Sequence, residues 1–420
     1  MKTIVDEGSF KIEIYGGYNE IGGNCIVIKD GDKKIVFDNG LRFNVLKKYF
    51  RGDIRPLGAR ELRKVKAIPP IKALSDATAI YISHFHLDHL GLLNPLPEGV
   101  KVYVPSLEIL KVIEDWYARS PSWLSQIPHS SLTEVKEITP YKQDENGVIA
   151  IPVSHSAYPA FSFIYQGSKT VFYSGDFRVK SPYEIDTILN LQSVSTNIDI
   201  ALIEGTNIGN VETPISVDEF KSIINRMLIQ GSLITISIDK LDFELFSFVY
   251  NTSKLLGRKI VIASPKLVDI LPKWLNSFEN IVVATEIGME KPLTAPLDDI
   301  SLTEEVFKDP SNYVVIQELT DFLEMLRRRQ LWDENLPSDA ITILTTPEPL
   351  EEESEIYESL LAKWLNLLGV QVYRVRLSGH YHPYELKEII NTLKPKRVEP
   401  IHTNHPGLMK SLVSSIQQKL

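Results

Sequence analysis

Short runs of apolar residues, separated by polar turns, dominate the first half of the chain. Residues 10–15 alternate between apolar and polar side chains, which is typical of a strand with one buried face. The other runs that predict strands here are 25–29, 34–37, 77–83, 101–105, 148–153, 161–165, 170–173 and 198–203. Helical patterns are few, notably 106–118. Mixed strands with few helices predict a layered α/β sandwich.

From residue 207 to about 375 the pattern changes, because short apolar runs now alternate with helical stretches. The predicted strands are 233–238, 259–263, 281–284, 313–316 and 341–344. This alternation is typical of a parallel sheet with crossover helices. A chain of 420 residues exceeds a typical single domain, so we expect a second α/β domain in this region. A strand at 372–377, a helix at 383–393 and a strand at 397–401 follow.

Composition narrows the class of protein. The chain is 43% hydrophobic and 24% charged, as in ordinary globular proteins, and no apolar run reaches the length of a membrane span. The first residues lack a signal-peptide core, so we expect a cytoplasmic protein without a membrane partner. The single cysteine, Cys25, excludes an internal disulfide and a cysteine-based zinc site, and we expect it to be buried in a strand.

The charge pattern leaves nucleic-acid binding open. The net charge of −9 does not indicate it, but residues 41–76 carry ten lysines and arginines with few acids. This stretch is either a solvated, partly helical surface or a basic wall for a nucleic-acid strand, with Tyr49 and Phe50 interleaved. Arg51, Arg55 and Arg60 are its candidate nucleic-acid contacts.

The strongest chemical signal is the sequence His-Phe-His-Leu-Asp-His at residues 84–89, which follows the apolar run 79–82 and precedes Leu90-Gly91, where a helix could begin. Imidazole nitrogen and carboxylate oxygen are ligands that suit zinc. His84 and His86 lie on the same side of an extended backbone and can reach one ion. Asp88 and His89, past the bend, can reach a second.

Further residues of the ligand type stand where apolar runs end. They are Asp38, His155, Asp176, Glu204, His380 and His402. A lone histidine in such a place is most often a capping or core residue. Together with the cluster at 84–89, however, these strand ends supply enough ligands for two ions and leave a carboxylate to bridge them.

These motifs resemble the metallo-β-lactamase superfamily, and within it the β-CASP nucleases of the ribonuclease J group. The resemblance rests on Gly-Gly-Tyr-Asn-Glu-Ile-Gly-Gly-Asn at 16–24, the cluster at 84–89, Ser-Gly-Asp-Phe-Arg at 174–178, Ser-Gly-His at 378–380 and Pro-Ile-His at 400–402. It implies an α/β protein with a metallo-β-lactamase αββα sandwich and an inserted β-CASP α/β cap domain. The expected domains are 1–207 and 376–420 for the sandwich and 208–375 for the cap.

The resemblance also implies roles for the residues that match the family's motifs. His84, His86 and His155 would hold one zinc ion, Asp88, His89 and His402 the other, and Asp176 would bridge the two. Asp38 would orient a ligand histidine. Glu204 would also lie next to the metal-binding residues without binding the metal itself. Asp88, Asp176 and His380 would be the catalytic residues, with His380 facing the scissile phosphate. Ser378 is a further candidate RNA contact.

The implied activity is hydrolysis of phosphodiester bonds in single-stranded RNA by a hydroxide that two metal ions activate. Zinc is the expected ion, with manganese as the alternative, and the resemblance allows for a homodimer. The enzyme would be a 5′→3′ exonuclease, an endonuclease or both. The alternatives are a hydrolase of the same fold that acts on DNA or another ester, and a non-catalytic RNA-binding subunit.

The chain departs from the family after Ser-Gly-His, where Tyr381 and His382 stand in place of the usual small residue. This change would reshape the pocket behind His380. His129, His382 and His405 match no ligand position, and we expect structural or surface roles for them.

Overall fold

The computed structural model describes residues 1–51, 53–120, 123–127, 134–194, 196–211, 214–230, 232–287, 297–328, 337, 339–345 and 352–418, without the side chains of 328 and 352–356. The chain forms two compact units. The first unit comprises Met1–Ser181, Ile185–Thr213 and His380–Leu420. The second comprises Pro182–Glu184 and Pro214–Gly379, whereas the sequence predicts the inserted domain at 208–375. Within the second unit, a β-bridge joins Ile215 to Leu377 near its two ends.

The strands lie close to the predicted apolar runs. They are β1 (Lys2–Glu7), β2 (Phe10–Gly16), β3 (Cys25–Asp30), β4 (Lys33–Phe37), β5 (Ala79–Tyr81), β6 (Lys101–Val104), β7 (Glu134–Glu137), β8 (Val148–Val153), β9 (Ala160–Gln166), β10 (Thr170–Tyr173), β11 (Ile200–Glu204), β12 (Ile234–Ser237), β13 (Lys259–Ile262), β14 (Ile281–Ala284), β15 (Asp298–Ile300), β16 (Tyr313–Gln317), β17 (Ile341–Leu344), β18 (Gln371–Arg374) and β19 (Arg397–Ile401).

Helices occupy the connections between strands. They are α1 (Phe43–Tyr49), α2 (Ala59–Val65), α3 (Ile71–Leu74), α4 (Leu87–Leu90), α5 (Leu107–Ala118), α6 (Thr187–Gln192), α7 (Val217–Ile229), α8 (Phe243–Leu255), α9 (Pro265–Trp274), α10 (Leu319–Arg328), α11 (Glu352–Leu367), α12 (Leu386–Leu393) and α13 (Pro406–Gln417). Among the described residues, no helix combines the length and the apolar character needed to cross a membrane.

The first unit is built on two sheets that pack face to face. One sheet has the order β1-β2-β3-β4-β5-β6-β7, and the other has the order β19-β11-β10-β9-β8. Their inner faces share one core, in which the ring of Phe37 stacks between those of Phe163 and Tyr173 at centroid distances of 5.3 and 5.1 Å. Apolar residues of α6, α12 and α13 cover the outer face of the second sheet. The predicted layered α/β sandwich is therefore confirmed.

The second unit is a parallel sheet with helices on both faces. Its strand order is β15-β14-β13-β16-β12-β17-β18, and each neighbouring pair is parallel. Apolar residues of α7, α8 and α9 pack on one face, and those of α10 and α11 pack on the other. Burial on both faces explains why its strands read as continuous Val- and Ile-rich runs, such as Ile-Thr-Ile-Ser at β12.

One predicted boundary in the metal-ligand segment is wrong. The sequence predicts a helix that begins at Leu90-Gly91, whereas α4 spans Leu87–Leu90 and Gly91 ends it with a φ of 60°. A Cβ on Gly91 would lie 1.8 Å from the carbonyl oxygen of Asn39. The loop after β4 occupies the space that a side chain needs, so a glycine is required here and the helix stops.

The strands that the apolar pattern missed are edge strands with exposed polar residues. β1 and β15 end their sheets, and most of their side chains are exposed. β7 ends the first sheet on the other side and has the sequence Glu-Val-Lys-Glu. Edge strands of this kind carry charged side chains and no continuous apolar run, so the apolar signal for a strand is absent.

A buried arginine, Arg258, holds part of the second unit together. Its guanidinium donates to the carbonyl oxygens of Leu228 (2.8 Å), Ser232 (2.6 Å), Pro310 (3.2 Å) and Tyr313 (2.6 Å). Burial lowers the pKa of Arg258 to about 10. The cation thus satisfies the backbone at the end of α7 and at the starts of β12 and β16.

We expect Arg258→Met to lower the free energy of unfolding by about 3 kcal/mol, because several buried carbonyl groups lose their donor. Urea denaturation followed by circular dichroism measures this change. Arg226→Met is the matched control, because Arg226 is exposed and bonds only within its own helix, to the Ser222 carbonyl. An equal, small effect of both substitutions would show that Arg258 does not stabilise the unit.

Candidate metal centre

The loop that carries the histidine cluster is held by main-chain hydrogen bonds to the segments after β2 and β4. The amides of Asn24 and Asn39 donate to the carbonyls of Asp88 and His89, each at 2.9 Å, and the Leu41 amide donates to the Leu87 carbonyl at 2.9 Å. A Cβ on Gly40 would lie 1.7 Å from the Asp88 carbonyl oxygen, so the backbones are as close as glycine allows. These hydrogen bonds and the close backbone contact fix the direction in which the side chains of α4 point.

The structure brings together all the side chains predicted as metal ligands, and it places them in two groups within the first unit. One group is His84, His86 and His155, and the other is Asp88, His89, Asp176 and His402. In each group, one ligand atom per residue lies within 4.8 Å of the others. All of these residues are buried except His86, which is half-buried.

Several ligand atoms are buried without a hydrogen-bond partner among the described residues. They are Nε2 of His84 and His402 and both carboxylate oxygens of Asp88, whereas Nε2 of His89 lies 3.0 Å from Asp176 Oδ2. Asp88 Oδ2 lies 3.5 Å from His402 Nε2 and 3.7 Å from His89 Nε2, which is too far for a hydrogen bond. Buried polar atoms without a partner are costly. A divalent cation that accepts their lone pairs removes this cost, so the residues present fit a metal ion.

The electrostatics of the second group favour a cation. Burial alone would raise the pKa of Asp176, but the charges and hydrogen bonds of His402 and His89 hold it well below the ordinary value. The carboxylate therefore stays ionised and available as an anionic ligand. In the first group, burial and the charges of His89, His155 and His86 lower the pKa of His84 well below its ordinary value. A neutral imidazole keeps the lone pair that a metal ion needs.

Asp38 accepts hydrogen bonds behind His89. Its Oδ2 lies 2.7 Å from Nδ1 of His89, and it also accepts from the amide (2.7 Å) and hydroxyl (2.9 Å) of Ser83 and from the hydroxyl of Tyr173. The carboxylate fixes the proton of His89 on Nδ1, so Nε2 turns towards Asp88 and Asp176. This is the contact that the predicted orienting role needs.

Sequence reasoning missed the residues that hold Asp38. Tyr173 donates to Asp38 from β10, and the Asn24 side chain donates to the Tyr173 hydroxyl at 2.9 Å. Asn24 closes the glycine-rich motif at 16–24, which was a signal for it. Tyr173 reads as an ordinary strand residue, and no sequence signal distinguishes it.

His380 stands beside both ligand groups. Its ring centroid lies 5.2 Å from that of His155 and 5.8 Å from that of His402, and its Nδ1 lies 4.0 Å from Asp176 Oδ2. Nδ1 donates to Glu204 Oε1 at 3.1 Å, while Glu204 Oε2 accepts from the Thr206 amide at 2.8 Å. The sequence predicts a supporting role for Glu204 but not that its partner is His380.

The candidate RNA contacts are not brought into this cluster. Arg51, Arg55 and Arg60 are exposed, and Arg51 Nε donates to the Lys47 carbonyl at 2.9 Å. Exposed apolar side chains stand among them, with Ile54 68% and Leu57 84% exposed. Ser378 is buried and belongs to the second unit.

Two of the histidines that match no ligand position, His382 and His405, lie outside both groups. His382 is buried and stacks on Tyr384 with ring centroids 5.1 Å apart. His405 is exposed and precedes α13 as its N-cap residue. His129 lies outside the described residues.

Asp176→Ala should weaken metal binding by about two orders of magnitude or more, because it removes an ionised ligand from the second group. Metal content after gel filtration, and chelator competition with zinc, measure the loss. Asp32→Ala, in the exposed turn after β3, is the control and should bind metal as the unaltered chain does. Full metal occupancy in Asp176→Ala would exclude Asp176 as a ligand.

Comparisons with known proteins show what the chain is similar to. The family profile described as "Beta-lactamase superfamily domain" matches residues 52–219. The ribonuclease J of Mycoplasma genitalium is 22% identical, over 93% of this chain and 67% of that protein. Those of Mycobacterium tuberculosis (22%, 94% and 69%) and Pyrococcus abyssi (21%, 93% and 89%) are similarly related.

A solved structure shares the fold. A protein of unknown function from Enterococcus faecalis superposes with a TM-score of 0.75 and 20% identity, over 95% of each chain. This likeness extends over both units. The family profile and the related ribonucleases make the chain similar to the ribonuclease J group of the metallo-β-lactamase superfamily, and the solved structure supports the fold alone.

Proposed function

We propose that this protein is a metal-dependent ribonuclease that hydrolyses phosphodiester bonds in single-stranded RNA. The observation that carries the proposal is the meeting of two ligand groups beside His380. The relatives named ribonuclease J supply the substrate class. Cleavage would be 5′→3′ exonucleolytic, endonucleolytic or both.

The two ligand groups would hold two ions, with zinc as the proposed metal and manganese as the alternative. Three imidazoles, as in the group of His84, are a ligand set that zinc prefers, while mixed carboxylate and imidazole ligands also suit manganese. Asp176, which contacts His89 and His402 within the second group, would be the bridging carboxylate, as the resemblance implies. When bound, such ions activate water and neutralise charge on phosphoryl oxygens.

The protein's own residues would do the rest. Asp38 would keep the ligand His89 in one tautomer, through the 2.7 Å contact with Nδ1. Glu204 would keep a proton on Nδ1 of His380 in the same way, so Nε2 would be the atom that meets the substrate. A proton on Nε2 would stabilise negative charge on the phosphate or pass to the leaving oxygen.

A non-catalytic RNA-binding subunit is the weaker candidate. A chain that only binds RNA has no need of seven ligand side chains in two groups, and here all of them are present. Arg51, Arg55 and Arg60 remain proposed RNA contacts, because their exposed guanidinium groups are able to reach phosphates.

The experiment that tests the proposal follows digestion of one single-stranded RNA labelled at its 5′ or 3′ end, with and without a chelator. We expect chelator-sensitive cleavage. Mononucleotide released from the 5′ label, faster on 5′-monophosphate than on 5′-triphosphate RNA, would establish a 5′→3′ exonuclease. Discrete internal fragments would establish an endonuclease. Cleavage of a matched DNA strand alone, or no cleavage with metal bound, would overturn the proposal.

His380→Ala should retain the metal and lose activity by about a hundredfold or more, because a positioned acid or base is removed. Steady-state kinetics on the labelled RNA and metal content on the same sample measure the two effects. His405→Ala is the control, since His405 is an exposed helix cap outside both ligand groups. Loss of a metal ion in His380→Ala would instead make His380 a ligand.

A further inference from the structure

Tyr381, the residue after His380, and His380 itself both form hydrogen bonds with Glu204. The Tyr381 hydroxyl donates to the carbonyl oxygen of Glu204 at 2.7 Å. The Glu204 carboxylate in turn accepts from Nδ1 of His380 at 3.1 Å. Because His380 and Tyr381 are joined covalently, the two hydrogen bonds tie both ends of Glu204 to one dipeptide.

The backbone of Tyr381 is fixed on both sides. Its amide donates to the Phe177 carbonyl at 2.7 Å, and its carbonyl accepts from the Asn207 side chain at 3.1 Å. Its ring is fully buried and lies 5.3 Å from the ring of Phe177, the residue after Asp176. The dipeptide that carries His380 is thus anchored to the segment that carries Asp176.

Glu204 is held from its own strand as well. Its amide donates to the hydroxyl of Ser174 at 3.0 Å, and its Oε2 accepts from the Thr206 amide at 2.8 Å. Burial, and then the charges of Glu204 and Glu385, raise the pKa of Tyr381 well above its ordinary value. Burial therefore favours the protonated hydroxyl, which donates to the Glu204 carbonyl.

We propose that Tyr381 is a positioning residue, whose hydroxyl holds the Glu204 main chain so that the Glu204 carboxylate keeps His380 in one orientation. The inference rests on the proposed ribonuclease function. A phenylalanine would fill the same core volume against Phe177, but it would leave the Glu204 carbonyl without this donor. The Tyr381 hydroxyl, and not its aromatic ring, therefore keeps His380 in one orientation.

Tyr381→Phe tests this role. We expect kcat on single-stranded RNA to fall about tenfold, because small misplacements of a catalytic group are costly, with KM and metal content unchanged. Tyr165→Phe is the matched control. Tyr165 is equally buried, and its hydroxyl donates to Asp30 Oδ2 at 2.9 Å and not to Glu204. It should lose similar stability and keep its kcat.

A spectroscopic readout does not depend on activity. In the metal-free protein, the Nδ1 proton of His380 should give a downfield imidazole NMR signal, identified by its absence in His380→Gln. We expect this signal to shift or broaden in Tyr381→Phe and to stay unchanged in Tyr165→Phe. An unchanged signal together with an unchanged kcat would reduce Tyr381 to a core residue and overturn the inference.

A double-substitution cycle tests whether Tyr381 acts through Glu204. In a Glu204→Gln background, Tyr381→Phe should cause little further loss of kcat, because the two residues act in series. An undiminished tenfold loss of kcat in that background would show that Tyr381 does not act through Glu204. If the unaltered chain cleaves no RNA, the proposed function fails, and the NMR signal alone then decides whether Tyr381 holds His380.

Discussion

Buried polar atoms without a hydrogen-bond partner are the constraint on which the candidate site of the first unit depends. Nε2 of His84 and of His402 and both oxygens of Asp88 are enclosed without such a partner among the described residues. Leaving such atoms unpaired costs free energy that the rest of the fold must offset. The sandwich holds these side chains where a bound metal ion would satisfy them.

Two carboxylate–histidine pairs of the same kind surround these groups. Asp38 accepts from Nδ1 of His89, and Glu204 accepts from Nδ1 of His380. Each acid stands at the carboxyl end of a strand, Asp38 after β4 and Glu204 at the end of β11. In both pairs the acid decides which nitrogen carries the proton. The first pair would serve a metal ligand and the second a group that meets the substrate.

A shared backbone frame links these pairs. The hydroxyl of Tyr173 reaches Asp38 from β10, the hydroxyl of Ser174 accepts from the Glu204 amide, and Asp176 follows two residues later. Tyr381 returns to the same segment through the Phe177 carbonyl. A substitution in this segment would therefore disturb both pairs at once.

The layers of both units, and the residues that the structure brings together in the two candidate ligand groups, could be predicted from the sequence alone. Apolar runs of strand length identified the core strands, because burial on one or both faces requires them. Edge strands such as β1 and β7 were not predicted, because their exposed faces carry no such run. The histidines and acidic residues at strand ends were recognisable as candidate ligands, because metal ions bind nitrogen and oxygen donors.

Only the tertiary structure decided which groups pair. Glu204 and His380 are 176 positions apart, and Asp38 and Tyr173 are 135 apart, so no local pattern joins them. The helix at Leu87–Leu90 ends where the loop after β4 approaches Gly91, which is again a contact between distant segments. Residue type determined which atoms are able to bind a metal or a proton. Chain topology determined which of them meet, because hydrogen bonds between strand ends depend on sheet register and packing.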